Sequence, residues 1–154
     1  PDTRRRQKHR LCPDAAEELN MPKQDPVPLP YGLLQYYQVH YILQSESKEN
    51  GSFLARCEPV TKGYFGGKRV AGVRWTGIED FAEVLQQDAK LTEMLKQVML
   101  REGEIRVDPL DDHIRIHGKW IHEDTFAFNQ VMMEIADRIA GHIKSRLRAL
   151  GELP

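Results

Sequence analysis

Residues 111–124 read "DDHIRIHGKWIHED" and place three histidines and four carboxylates in one short stretch. On a helix, the spacing of four between His113 and His117 would put both imidazoles on one side, as metal ligation often requires. The intervening "IRI" instead alternates as a β-strand does. Four strand residues span roughly 13 Å, whereas two ligands of one zinc ion lie within about 4 Å of each other. The pair therefore predicts solvated strand histidines and no metal site.

A second route to a metal site would fold residues 122–124 back towards His117 through a turn at Gly118. These residues are better explained as the start of a long helix, with Asp124 near its cap. The sequence therefore predicts a helix start in this segment, and no metal ligand.

The other polar residues carry no catalytic motif. Asp108, Asp111 and Asp112 flank a proline-containing turn, where aspartate is favoured for local backbone hydrogen bonds. Cys12 and Cys57 are the two cysteines, and neither has the neighbours that activate a nucleophile. This pattern favours a protein that is not an enzyme, with no catalytic residue and no cofactor.

Residues 62–69, "KGYFGGKR", combine glycines, aromatic rings and basic side chains, which together can cradle a phosphate or stack on a base. They lack the GxxxxGKS/T and GxGxxG spacings of nucleotide-binding loops. A flexible loop between two strands is the favoured interpretation, and an anion site is the alternative. The residues of that alternative are Gly63, Gly66, Gly67, Lys68 and Arg69.

The composition is that of one ordinary folded domain. The chain has 154 residues, of which 40% are apolar and 29% charged, a length that suffices for a single core. Its apolar stretches are interrupted and fall short of the ~20 apolar residues of a membrane helix. The cysteines form no CxxC or Cys/His cluster, and no secretory signal pattern follows the basic start. We expect a cytoplasmic protein without a membrane span.

The first 30 residues differ from the rest and predict an N-terminal arm. They begin with five basic side chains: Arg4, Arg5, Arg6, Lys8 and Arg10. Residues 12–20, "CPDAAEELN", favour one or two helical turns. Four prolines from Pro22 to Pro30 then favour an extended chain. We therefore divide the chain into a basic, proline-rich arm at 1–30 and a single α+β domain at 31–154.

Three strands are predicted after the arm. Residues 36–44 alternate between apolar and polar side chains, and "FLARCEPV" at 53–60 alternates again. We expect these two strands to form a hairpin around the polar segment 45–52. "RVAGVRW" at 69–75 is the third strand.

Two helices are predicted next. "TGIE" at 76–79 matches a capping box, which predicts that the first helix begins at Thr76. Asp88 suits the N-cap of a second helix, and Gly103 suits its end.

The remaining elements are two short strands at 104–107 and 113–117 and a long helix from about Asp124 to about Leu150. The long helix is indicated by apolar residues at helical spacing. The order βββααββα predicts an α+β fold, in which an antiparallel or mixed sheet of about five strands has helices packed on one face.

One face of this predicted sheet has a distinct charge pattern. Opposite the apolar positions, the strands carry basic side chains and histidines: His40, Arg56, Arg74, Arg106, His113, Arg115 and His117. Glu58, Glu104 and Asp108 share that face. If helices cover only the other side, this face is open, as in single-layer sheets that bind RNA, acidic partners or a second subunit. A solvated lattice of Arg–Glu ion pairs is the alternative.

These features favour a small non-enzymatic interaction protein or accessory subunit. It would dock on a macromolecular partner, or self-associate, through the open sheet face and the N-terminal arm. The first alternative is an RNA-binding protein that uses the basic arm and the Arg/His face. The second is a small-ligand or phosphate-binding protein, or an enzyme, that uses the loop 62–69.

Overall fold

The computed structural model describes residues 9–10, 17–20, 27–29, 32–34, 36–64, 66–122 and 129–153, with side chains in 37–64, 66–78, 80–121 and 129–153. The elements in chain order are β1 (His9–Arg10), β2 (Glu17–Asn20), β3 (Val27–Leu29), β4 (Gly32–Leu34), β5 (Tyr36–Tyr37), β6 (His40–Gln44), η1 (Lys48–Phe53), β7 (Ala55–Lys62), β8 (Arg69–Gly77), α1 (Glu79–Gln87), α2 (Ala89–Glu102), β9 (Ile105–Pro109), β10 (His113–His117), β11 (Ile121–His122) and α3 (Gln130–Ala149).

The described strands form one large antiparallel sheet in the order β1-β2-β6-β10-β9-β7-β8. Strands β6 to β10 are the five predicted from alternation, and the predicted α+β fold with a long C-terminal helix is confirmed. β1 and β2 extend the sheet beyond β6, with Glu18 opposite Ile42 and Asn20 opposite His40. Two small sheets pair β3 with β4 and β5 with β11.

The helical turns predicted at 12–20 are wrong for residues 17–20, which form β2, and residues 12–16 lie outside the described residues. A helix of one or two turns is unstable by itself because its nucleation is unfavourable. Pairing with β6 instead satisfies the backbone groups of these residues. The boundary between an arm at 1–30 and a domain at 31–154 stays a prediction.

The hairpin predicted between 36–44 and 53–60 is wrong, because β10 and β9 lie between β6 and β7. Residues 48–53 form a short 3-10 helix, η1. The buried side-chain amide of Asn50 donates to the carbonyl oxygens of Ser45 and Leu110, at 2.7 and 3.0 Å. These hydrogen bonds hold the segment between β6 and β7, which contains η1, at the end of β9. They thereby keep β6 and β7 apart.

The capping box predicted at Thr76 is wrong, since Thr76 belongs to β8 and pairs with Arg56 of β7. α1 begins at Glu79, with Ile78 as an N-cap that makes no side-chain hydrogen bond. Continued pairing of β8 up to Gly77 overrides the local motif.

The other helix ends follow side-chain caps. Asp88 caps α2 as predicted, accepting from the N–H of Leu91 at 3.0 Å, and Gly103 ends α2 with a φ of 71°. α3 begins at Gln130 and not near Asp124, because the side chain of Asn129 caps it. Residues 123–128 lie outside the described part of the chain.

The helices pack on one face of the sheet, and the core lies between the two layers. Trp75 and Val107 contribute from the sheet, and Leu91 and Ile139 from the helices. Phe53 and Phe81 meet edge to face with ring centroids 5.1 Å apart. No helix within the described residues is both long and apolar enough to span a membrane.

Candidate functional site

The strand register places all seven predicted surface residues on one face of the sheet, the outer face, away from the helices. Arg115 lies opposite Ile42 on β6 and opposite Asp108 on β9, and His117 lies between His40 and Arg106. Arg56 lies opposite Arg106 on one side and Thr76 on the other. Arg74 lies opposite Glu58. Their surroundings, however, divide the seven into a buried group and an exposed group.

The β6–β10 end of the outer face is buried, so the expectation of a solvated strand histidine is wrong for His117, and the expectation of an open face is wrong for His40. Their exposed fractions are 9% and 8%, and Ile42 beside them is buried as well. The two imidazole rings lie 4.9 Å apart, tilted by 39°. Both histidines are therefore parts of a packed polar cluster and are not free surface groups.

Hydrogen bonds connect this histidine cluster to its neighbours. His40 Nε2 lies 2.6 Å from the side-chain oxygen of Gln38, whose amide nitrogen donates to the carbonyl oxygen of Gly118 at 2.8 Å. His117 Nδ1 lies 2.9 Å from the Gly118 carbonyl oxygen and 3.2 Å from the side-chain amide nitrogen of Gln38, and its Nε2 lies 2.7 Å from an Asp108 carboxylate oxygen. Both rings are therefore held in place by neighbouring polar groups.

The cluster keeps His40 neutral. Burial is the main cause that lowers the pKa of His40 from 6.5 to about 4, and the nearby His117 and Arg115 lower it further. The Asp108 carboxylate opposes this shift. At neutral pH, His40 is therefore a neutral donor to Gln38.

His113 and Arg115 lie beside this cluster and are half-buried. His113 Nδ1 lies 2.6 Å from a carboxylate oxygen of Asp112 at the exposed end of β10. Arg115 Nη2 is 3.6 Å from the Asp108 carboxylate. A carboxylate therefore lies beside each of the two side chains.

The β9–β7–β8 end of the outer face is exposed and carries a row of alternating charges, the ion-pair row. In spatial order its members are Arg74, Glu58, Arg56, Glu104 and Arg106. The shortest contact is 2.6 Å, from Arg56 Nη2 to a Glu104 oxygen. An open groove of about 430 Å³ lies over this row and is also lined by Pro59, Gly103 and Lys119. This part of the face is therefore a lattice of Arg–Glu ion pairs, which was the alternative interpretation of the sequence.

The β7–β8 hairpin extends beyond the rest of the sheet. β9 pairs with β7 only at residues 55–57, whereas β7 and β8 pair up to Lys62 opposite Arg69. The described residues of the hairpin tip, 60–69, are all exposed. Gly63 and Gly66 have φ values of 112° and 88°, which side chains with a Cβ disfavour. A Cβ on Gly63 would also overlap the carbonyl oxygen of Gly67.

The residues of the predicted anion loop therefore lie at the end of a projecting hairpin. Lys68 and Arg69 are exposed, as is Lys62 on the opposite strand. None of these three cations has an ion pair or hydrogen bond within the part of the chain that the structure describes. The arginines of the ion-pair row, in contrast, each contact a glutamate.

Most of the predicted N-terminal contacts lie outside the described residues, namely Arg4, Arg5, Arg6 and Lys8. Arg10 is in β1, where its backbone is opposite Glu18. A contribution of these five residues to binding stays a prediction.

The described residues contain neither a cluster of metal ligands nor an activated cysteine. No three His, Cys, Asp or Glu side chains there converge as a metal site. Cys57 is a buried free thiol, and burial, reinforced by Glu58, raises its pKa to about 12. It is therefore protonated at neutral pH and a poor nucleophile.

Sequence reasoning left Lys62 and Tyr64 out of the predicted anion site, although both belong to its segment 62–69. The signal that could have found them is charge: residues 59–78 contain four basic side chains and no acidic one. It also missed Gln86 of α1, whose side-chain amide accepts from the Trp75 N–H at 2.9 Å and donates to the Val73 carbonyl oxygen at 3.1 Å. No local pattern marks that contact.

The outer face therefore combines a buried histidine cluster, a neutralised ion-pair row and an unpaired basic hairpin tip. Comparison with known proteins adds no assignment, because the chain matches no protein-family model, no curated protein and no solved structure.

Proposed function

We propose that this protein is a non-enzymatic interaction protein that docks on a macromolecular partner through the β7–β8 end of its outer sheet face. The observation that carries the proposal is the projecting hairpin, whose tip residues are exposed and whose cations Lys62, Lys68 and Arg69 are unpaired in the described structure. These cations can pair with negative charges of a partner without first losing an ion pair within the protein.

The hairpin is suited to docking because its base is rigid. Cys57, Val73 and Trp75 are buried in the core, and β7 and β8 pair from Ala55 to Lys62 with one register shift between Val60 and Thr61. A preorganised surface loses less conformational entropy on binding than a flexible segment does. The packed part of the hairpin therefore holds the exposed tip in a fixed position.

The N-terminal basic run remains a second proposed contact, with Arg4, Arg5, Arg6, Lys8 and Arg10 as a tether. Deleting residues 1–30 would be an ambiguous test, because β2 covers the edge of β6. Replacing Arg4, Arg5 and Arg6 by Gln keeps the chain length. We expect weaker association and an unchanged melting temperature, and unchanged association would remove the arm from the proposal.

Site-specific photocrosslinking in the native cells tests the docking surface. A benzophenone amino acid would replace Tyr64 at the tip or, as a control, Leu100, which is exposed on α2 in the helix layer. We expect covalent adducts from position 64 and few from position 100. Equal yields from both positions, or none from position 64, would contradict the proposal.

Digestion of the adducts then separates the classes of partner. Adducts removed by nuclease contain nucleic acid, those removed only by protease contain another protein, and a species of twice the chain mass is a second copy. Each of these outcomes at position 64 supports docking through the hairpin.

A further inference from the structure

The hairpin tip has a local excess of positive charge. The whole chain has a formal net charge of −1, yet residues 60–69 carry Lys62, Lys68 and Arg69 without any Asp or Glu. Lys62 and Arg69 are directly opposite each other across the hairpin, so their charges repel. Like charges on facing strand positions destabilise a sheet, so folding alone gives no reason for the pair.

An exposed aromatic ring lies among these cations. Tyr64 is 91% exposed, the highest value of any large apolar or aromatic residue in the described structure. It follows Gly63, whose positive φ helps shape the turn. The ring therefore contributes nothing to the core, and its face is available to a ligand.

We infer that the partner in the docking function proposed above is single-stranded nucleic acid, with a base stacked on Tyr64 and phosphates contacted by Lys62, Lys68 and Arg69. Cations that track the backbone, together with aromatic rings that stack on bases, are the usual means of binding single strands. In a duplex the bases stack on each other, which leaves a single ring at a hairpin tip without a base to contact. The ion-pair row borders the site, and its carboxylates limit the phosphate contacts to the tip.

Fluorescence anisotropy with the full chain tests this inference. The probes are a fluorescein-labelled oligouridylate of about 10 nucleotides and a labelled duplex RNA of the same length. We expect tighter binding of the single strand, with an affinity that falls linearly against the logarithm of salt concentration. Equal affinity for both probes, or no binding of the single strand at low salt, would overturn the inference.

Charge variants show whether the tip makes the phosphate contacts. Each of Lys62→Ala, Lys68→Ala and Arg69→Ala should reduce the slope of log affinity against log salt by about 0.7. Lys90→Ala removes one exposed positive charge from α2 and is the matched control, for which we expect an unchanged slope. A slope reduced as much by Lys90→Ala as by the tip variants would show only a general electrostatic effect and overturn the inference.

Tyr64 variants test the stacking contact. Tyr64→Ala should weaken binding roughly fivefold to a hundredfold, and Tyr64→Phe should bind as the wild type does because it keeps the ring. Since Tyr64 is exposed, both variants should unfold at the wild-type temperature, which a thermal melt checks. Wild-type binding by Tyr64→Ala would overturn the stacking contact. If the oligonucleotides do not bind while position 64 still crosslinks to a protein, the partner class is wrong and the docking function stands.

Discussion

Arg138 on α3 donates through Nε and Nη2 to the carboxylate of Asp88, at 2.7 and 2.9 Å, and so ties α3 to the first turn of α2. Asp88 is only 5% exposed, and His142 Nε2 lies 2.7 Å from the same carboxylate. Burial raises the pKa of this carboxyl, but hydrogen bonds from Arg138, the Leu91 N–H and His142 outweigh burial and hold the pKa well below its ordinary value. Two helices thus depend on one ionised side chain.

Asp88→Ala should lower the free energy of unfolding more than Asp88→Asn does. Asn still caps α2 but has no charge for Arg138, whereas Ala removes the charge and the cap, and loss of an N-cap costs about 1 kcal/mol. Urea denaturation at neutral pH measures both variants. Equal unfolding free energies for the two would show that the cap contributes nothing.

The same variants give a pH dependence. Because the folded-state pKa of Asp88 is depressed, the stability from its ionised form is fully present above the ordinary Asp pKa of about 4 and is lost as the pH falls below it. The stability difference between wild type and Asp88→Asn should therefore shrink below about pH 4. A difference that stays constant down to pH 2 or so would contradict the linkage.

His40 should make the protein less stable in mild acid. Its pKa is about 4 in the folded state and 6.5 ordinarily, so between these values the unfolded chain binds more protons. Stability is then lost as the pH falls from about 6.5 to about 4, by up to about 3 kcal/mol. His40→Gln should remove this part of the profile in denaturation curves across that range. Parallel profiles for the variant and the wild type would refute the assignment.

Two glycine substitutions should act in opposite directions. A Cβ at Gly118 would overlap the carboxylate of the buried Glu102, whereas a Cβ at Gly141 meets nothing within 4 Å. We expect Gly118→Ala to lower the unfolding free energy by about 1 kcal/mol, because the Glu102 carboxylate, the end of a flexible side chain, must shift. Gly141→Ala lies inside α3 and should raise the unfolding free energy by about 1 kcal/mol, because alanine favours helix. Thermal melts of both variants check the signs, and destabilisation by Gly141→Ala would show that the space there is not open.

Gln86 protects the exposed edge of β8. Its side-chain amide hydrogen-bonds to the backbone N–H of Trp75 and to the carbonyl oxygen of Val73. Without Gln86, these two backbone groups would be free to pair with another strand. Gln86→Ala should cost about 1 kcal/mol for each hydrogen bond lost and should promote concentration-dependent association, seen by analytical ultracentrifugation.

Gln87→Ala is the matched control for Gln86→Ala. Gln87 is the next residue of α1, is exposed, and its side chain donates a hydrogen bond to the exposed Glu83, so this variant should stay as stable and as dispersed as the wild type. Association of both variants to the same extent would remove the protective role of Gln86.

The sequence alone determined five strands of the large sheet, β6 to β10, and the side on which their residues lie. Alternation along 36–44, 69–75 and 113–117 put Tyr41, Trp75 and Ile116 in the core, as the structure confirms. This worked because a side chain's face in a strand depends only on its position along the chain. The N-cap at Asp88 was also predictable, because its hydrogen bond to Leu91 is local and spans only three residues.

Only the tertiary structure decided which strands are neighbours and which polar groups are buried. The insertion of β10 and β9 between β6 and β7 depends on contacts such as that from Asn50 to Leu110, 60 residues along the chain. The burial of His40 follows from the same arrangement, because β10 brings His117 beside it. A strand can pair with several segments that are far apart in sequence. Alternation indicates which side chains share a face of a strand, but not which strands are its neighbours.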